Sequence, residues 1–118
     1  MIISRTPFRI SFFGGGTDYP AWYRDDMGMV LSTTIDKYSY LTCRRLPPFF
    51  EYTTRIVYTE TEMVSHIDEI QHPIVREAFR MFEVESPIEL TTFSDFPAGT
   101  GLGSSSTFAV GLVNALHA

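Results

Sequence analysis

The sequence predicts an α+β fold: a mostly antiparallel sheet with two or three helices. Three observations carry this. Period-two runs rich in β-branched and aromatic residues recur through the first half of the chain. The segment Pro73–Glu83 places its apolar residues on one helical stripe. A second helical run, Thr107–Ala118, follows a stretch of glycines and serines.

In chain order, Ile2–Ser4 and Phe8–Phe13 read as strands, the second with Phe8, Ile10 and Phe12 alternating with Arg9, Ser11 and Phe13. Pro20–Asp26 reads as a short helix ended by Gly28. Met29–Ile35 and Tyr38–Arg44 read as strands, or as one long bent strand. Leu46-Pro47-Pro48 is a loop, because paired prolines cannot continue a ladder. Arg55–Thr59 is a further strand, and the acidic stretch Glu60–Ile70 reads as mixed turn and helix. In the helix Pro73–Glu83, Ile74, Val75, Ala78, Phe79 and Phe82 form the apolar side, and Pro73 suits the first turn. Ser86-Pro87 opens the strand Ile88–Phe93. The last helix presents Phe108, Leu112, Val113 and Leu116, with Gly111 as a weak point. No repeat, low-complexity tract or linker interrupts residues 1–118, which read as a single domain.

Composition narrows the function. With 44% hydrophobic and 19% charged residues, the chain is globular, not disordered. A net charge of −5 argues against non-specific nucleic-acid binding. The single Cys43 excludes an internal disulfide and reads as a small buried apolar residue. No leader pattern or membrane-length apolar run is present, so the expectation is a cytoplasmic protein without a membrane partner.

The chemistry-bearing stretch is Pro97-Ala98-Gly99-Thr100-Gly101-Leu102-Gly103-Ser104-Ser105-Ser106, at a strand-to-helix junction. Three glycines strip Cβ atoms where a backbone must approach a ligand, and the serines supply hydroxyls where a helix begins. A helix start carries unpaired N–H groups and partial positive charge. The physical reading is a phosphate-cradling loop with Leu102 as a packed anchor. No Lys follows the glycines, so it is not a Walker A loop, and a metal ion is expected to assist. The competing reading is a flexible linker or a plain helix cap.

A second glycine-rich stretch runs from Arg5 through Gly14-Gly15-Gly16-Thr17-Asp18 to Pro20. A strand, a tight turn and an Asp cap account for Gly14–Asp18. They leave Arg9 unexplained, since a charge in an apolar strand requires a partner. An Arg on a rigid strand beside a glycine-lined space suits an anionic or hydroxylated ligand.

Together these stretches resemble the GHMP kinases, the superfamily of galactokinase, homoserine kinase, mevalonate kinase and phosphomevalonate kinase. Pro97–Ser105 fits the motif P-x-x-x-G-L-G-S-S at every fixed position. Arg9, Gly14, Thr17, Asp18 and Tyr19 match the N-terminal galactokinase motif, whereas Gly15 and Gly16 stand where galactokinases carry Glu and His, which argues against galactose. The R-I-S-F-x-G-G-G-T-D version resembles the D-glycero-D-manno-heptose 7-phosphate kinases and the related fucokinases, and Thr42–Glu51, Arg55–Tyr58 and Ile70–Glu77 also resemble the heptose kinases.

The resemblance implies the N-terminal half of a ribosomal protein S5 domain 2-like fold. It also implies transfer of the γ-phosphoryl group of ATP, with Mg²⁺, to the anomeric hydroxyl of a heptose 7-phosphate. It assigns ATP binding to Pro97, Gly99, Thr100, Gly101, Leu102, Gly103, Ser104, Ser105, Ser106 and Thr107, with Ser105 touching the metal. Substrate binding falls to Gly15, Gly16, Thr17 and Asp18, and Arg9 is the catalytic group that offsets developing charge. Gly15 and Gly16 would leave room for the longer heptose chain. Family members are several times longer, so the expectation is an incomplete half with little or no turnover alone. The alternatives are a fucokinase-like or other sugar-1-kinase, and a non-catalytic module that self-associates through exposed apolar surface.

Other groups carry weaker readings. His66, His72 and His117 are too scattered for a metal set and read as surface or helix-end residues. Glu60, Glu62, Asp68 and Glu69 read as a solvated acidic face. Asp95 is a turn residue or a water-mediated metal contact, and Asp36 a candidate neighbour of the sugar. Tyr38, Tyr40 and Tyr58 are either cross-strand partners or the lining of an adenine or sugar pocket.

Overall fold

The structure is a computed structural model and describes residues 1–85 and 87–118. Ser86, read with Pro87 as the opening of a strand, lies outside the described residues. Five strands, β1 (Ile2–Ser11), β2 (Ser32–Arg45), β3 (Thr54–Val57), β4 (Thr61–Val64) and β5 (Ile88–Ser94), form one sheet in the order β1-β2-β5-β3-β4. All pairings are antiparallel except β3 with β5. Three helices accompany it: α1 (Pro20–Tyr23), α2 (Pro73–Met81) and α3 (Ser104–His117). No helix among the described residues is long and apolar enough to cross a membrane.

The predicted α+β class and mostly antiparallel sheet are what the chain forms. The two N-terminal strands are one, and Pro7 sits inside it. β1 is an edge strand, so the missing amide proton of Pro7 is tolerated there, and the register with β2 shifts between Pro7 and Arg9. Ser32–Arg45 is likewise one long strand, shorter at its start than Met29. The acidic stretch differs from expectation: Thr61–Val64 pairs with β3 as a strand, and only Ile67–Glu69 makes a 3-10 turn.

One face of the sheet carries the core. Leu41, Cys43, Ile56, Ile88 and Leu90 meet Val75 and Phe79 of α2 and Leu112 and Ala115 of α3. Ile10 and Phe12, which alternate with Phe8 in the same pattern, are 38% and 60% exposed. Phe8 itself is 1% exposed. Gly111 is a close-packing position: a Cβ there would stand 2.9 Å from Thr6 Oγ1, so glycine lets α3 lie directly on β1.

The acidic residues are structural, not simply solvated. Glu69 accepts hydrogen bonds from the backbone N–H groups of Ser65 and His66 at 3.0 and 3.2 Å, and Arg80 donates to Asp68 at 2.6 Å. The backbone donors hold the Glu69 carboxyl below its usual range, and the Arg80 hydrogen bond does the same for Asp68. Both groups bind protons more weakly folded than unfolded. Their contribution is therefore complete above the ordinary carboxylate range and is lost as pH falls through the folded values. Melting curves between pH 5 and pH 3 should show a steep fall in Tm that Glu69→Gln flattens. An unchanged slope would remove Glu69 from the acid response.

Candidate functional site

The helix α3 starts three residues earlier than its apolar pattern suggests, at Ser104, because Gly103 serves as the N-cap. Gly99, Gly101 and Gly103 take left-handed φ values of +84°, +75° and +77°, which side chains with a Cβ resist. These turns fold Gly99–Gly103 back over the start of α3. Ser106 donates its hydroxyl to the Gly103 carbonyl at 2.9 Å and tightens the first turn.

The N-terminal glycine stretch lies beside this loop. The Arg9 N–H donates to the Leu102 carbonyl at 3.3 Å, and the Thr107 hydroxyl to the Pro7 carbonyl at 3.4 Å. These two links lay the loop and helix onto the end of β1. Leu102 therefore anchors the loop through its backbone as well as its half-buried side chain. The result is an open cleft of about 620 Å³ bordered by Arg9, Ser11, Gly14 and Gly15 on one side and by Gly99, Gly101, Gly103 and Ser104–Ser106 on the other.

Arg9 lies along the wall of this cleft. A Cβ on Gly103 would meet its Cγ and Nε at 3.3 Å, so the stem packs against the helix N-cap. Arg9 and Ser11 share one face as the strand alternation predicts, and the guanidinium donates through Nη1 to the Ser11 hydroxyl. No carboxylate pairs with Arg9 among the described residues. A guanidinium with most of its donors uncommitted thus stands beside a helix N-terminus, and both favour an anion.

The sugar-side candidates divide. Gly15 borders the cleft, but its lack of a Cβ serves a neighbour: a Cβ would stand 2.5 Å from Asp18 Oδ2. The space ascribed to a longer sugar chain is thus occupied by the Asp18 carboxyl at Gly15, while at Gly16 it is open, with nothing within 4 Å of an added Cβ. Thr17 is committed to structure, since its hydroxyl donates to the Met29 carbonyl and accepts from the Met29 N–H, both at 3.1 Å. Thr17 and Asp18 line an adjoining hollow of about 330 Å³ with Tyr23 and Met29, and Gly16 lines a second of about 490 Å³. On the substrate reading that the resemblance implies, Gly15→Ala should displace the Asp18 carboxyl and weaken sugar-phosphate binding about tenfold, the scale of one charge-assisted hydrogen bond. Affinity for ATP should be unchanged; calorimetric titration with each ligand checks both.

Of the residues assigned to ATP, Thr107 is buried and turned to Pro7, while Thr100 and Leu102 do not border the cleft. Pro97 lines a second cavity of about 550 Å³ that shares Ser104 and Ser105 with the first. Tyr58, His72, Ile74, Phe93 and Phe108 also wall it. Tyr58 thus reaches a pocket. Tyr40 instead stacks on Phe93 across strands at 5.3 Å, and Tyr38 lies under the Arg5 guanidinium at 4.2 Å. His72 is the helix-end residue of the two readings, the N-cap of α2, but it is half-buried between Tyr58 and Phe108, not on the open surface. No sequence signal marks it, because the end of β3, the start of α2 and the face of α3 meet only in the folded chain. Asp95 follows β5, and its carboxylate accepts from the Tyr38 N–H at 2.8 Å, so it ties the end of β5 to β2 instead of capping a turn of its own; Asp36 borders neither cavity.

No group of three or more His, Cys, Asp or Glu forms a metal cage among the described residues. What the cleft offers a hard cation is oxygen alone, from one or two protein groups. Ser105 Oγ borders the cleft, and the Asp18 carboxyl lies against Gly15 at its rim.

Residues 70–118 match the family model described as GHMP kinases N terminal domain. The D-glycero-alpha-D-manno-heptose 7-phosphate kinase of Campylobacter jejuni is 32% identical over 124 residues, an alignment that takes in 97% of this chain and 36% of that protein. Among solved structures, a D-glycero-D-manno-heptose 1-phosphate kinase from Bacteriodes thetaiotaomicron superposes with a TM-score of 0.73 at 25% identity, covering 98% of this chain and 40% of the other. The Methanococcus jannaschii mevalonate kinase, at 17% identity and a TM-score of 0.66 over 98% of this chain and 39% of the other, shares the fold. The resemblance to the N-terminal part of GHMP kinases therefore holds in both sequence and fold, and the chain spans little more than a third of the length of these relatives.

Proposed function

We propose that this chain is the ATP-binding, N-terminal part of a GHMP-type sugar kinase that phosphorylates the anomeric hydroxyl of D-glycero-D-manno-heptose 7-phosphate. The observation that supports it is the convergence of two glycine-rich stretches, from opposite ends of the chain, on one cleft with Arg9 and a helix N-terminus. The heptose kinases among its relatives favour this sugar over a fucose-type substrate.

In this reading the backbone N–H groups of Gly101–Ser105 receive the β- and γ-phosphates. Ser105, with Asp18 at the rim, would hold Mg²⁺, which when bound supplies neutralising charge on the phosphates. Arg9 donates to the transferred phosphoryl group as its charge spreads over the equatorial oxygens. Asp18, held in the space that Gly15 leaves, accepts hydrogen bonds from sugar hydroxyls. The second cavity takes the base, since it adjoins the phosphate cleft at Ser104 and Ser105. Saturable Mg-ATP binding by this chain tests the reading; a chain that takes up no nucleotide overturns it.

A self-associating module is the second reading. The observation in its favour is the exposed apolar surface of Phe12, Phe13, Met27, Met29 and Leu31, all at least 60% accessible. A stable oligomer without nucleotide affinity would decide for it.

A further inference from the structure

The cavity beside the glycine loop holds its imidazole rigidly. Tyr58 stands edge-on to His72, ring centres 4.9 Å apart at 88°, and Phe108 meets the ring at 5.0 Å and 44°. The Tyr58 phenol donates to Glu62 Oε1 at 3.0 Å, and the same oxygen accepts the His72 backbone N–H at 3.1 Å. Glu62 Oε2 accepts the Gln71 N–H at 2.6 Å. One carboxylate from β4 thus ties the end of β3 to the start of α2. Desolvation, with the Glu62 hydrogen bond, pushes the Tyr58 phenol up to about 12, so the phenol stays a donor near neutral pH.

The imidazole has one unanswered atom. His72 Nδ1 is sealed from solvent and has no hydrogen-bond partner among the described residues. The residue's own main chain lies close enough to the ring to oppose the desolvation, but it does not meet Nδ1 in hydrogen-bond geometry; a sealed N–H without an aligned acceptor is costlier than a bare lone pair, so we place the ring proton on Nε2. Burial keeps the imidazole pKa below its ordinary value, so the neutral ring prevails at pH 7. A neutral ring with Nδ1 covered is a donor at Nε2. The walls around it are otherwise mainly aromatic and apolar: Tyr58, Phe108, Pro97 and Ile74. In such a box a flat heterocycle gains contact area on its faces, and among the rotatable hydroxyls of Ser39, Thr59, Thr92 and Ser94 the imidazole is the donor held in place by ring contacts on both sides.

We infer that His72 is a specificity-determining residue of this cavity, donating from Nε2 to an acceptor atom on the edge of the nucleotide base. The inference rests on the nucleotide reading above and adds to it the group that recognises the base.

The test separates the two. The wild-type chain, His72→Phe and His72→Gln are titrated with ATP and with inorganic tripolyphosphate, each with Mg²⁺, after circular dichroism has verified folding. His72→Phe keeps a ring but loses the donor; it should bind ATP about tenfold more weakly and tripolyphosphate unchanged. His72→Gln retains an N–H donor and should stay within about threefold of wild type for ATP. In the wild-type chain, imidazole ¹⁵N resonances should shift on addition of ATP and not of tripolyphosphate, a readout independent of whether a variant folds. Equal ATP affinity in His72→Phe, a parallel loss for both ligands, or imidazole resonances indifferent to ATP would each overturn the role of His72 alone. A wild-type chain that binds neither ligand would overturn the nucleotide reading and this inference with it.

Discussion

Gly103→Asp should abolish Mg-ATP binding while leaving the domain folded. Gly103 caps α3 in the left-handed region, and its missing Cβ admits both Ser106 Oγ, at 3.1 Å, and the Arg9 stem, at 3.3 Å. An aspartate there places a carboxylate where the triphosphate would lie. It also offers Arg9 an internal partner in place of the ligand. Like-charge opposition in such a cleft costs several kcal/mol, so the loss should exceed roughly a hundredfold in affinity. Left-handed strain costs about 1–2 kcal/mol for most side chains, and aspartate is among the few that enter this region as single residues. Gly103→Ala brings the strain without the charge and should retain measurable binding. Calorimetric titration of the three proteins, with circular dichroism for folding, checks the expectation. Wild-type affinity in the aspartate variant would remove the loop from the site.

Phe8→Ala should be the most destabilising change near the site. Phe8 is 1% exposed and packs edge-on against Phe96 with ring centres 5.8 Å apart. Its neighbours Pro7 and Arg9 make the backbone links that hold α3 and the glycine loop on β1. Removing a buried phenyl ring leaves a cavity and costs about 3–5 kcal/mol. For a domain of this size that corresponds to a drop in Tm of about 10–20 °C. Phe8→Leu, which refills much of the volume, should lose less than half as much. Thermal melts report both; a shift below about 3 °C for Phe8→Ala would mean that the ring supports neither core nor loop.

Much of the site was legible because its signals are local. Three left-handed glycines before a helix state a backbone requirement in the sequence itself, and the strand alternation put Arg9 and Ser11 on one face. Other roles were hidden because they depend on what each residue meets. Thr17 has the composition of a ligand-binding residue but spends its hydroxyl on Met29. Gly15 reads in the sequence as room for a ligand, and the room is filled by Asp18. Glu62 belongs to an acidic run by composition and is the tie between β3 and α2 by position. Thr61–Val64 lacks a strong strand pattern and becomes a strand because β3 offers it an antiparallel edge.

The order of amino acids alone determined the α+β class, the helix periods and the glycines that free the loop backbone, because these follow from sterics between near neighbours in the chain. The tertiary structure alone decided that Gly15 faces Gly101, that Gly111 brings α3 onto β1, and that Tyr58, His72 and Phe108 enclose one cavity. Those meetings depend on the sheet order β1-β2-β5-β3-β4, and long-range strand pairing is set by burial of a shared core, which no local window of sequence contains.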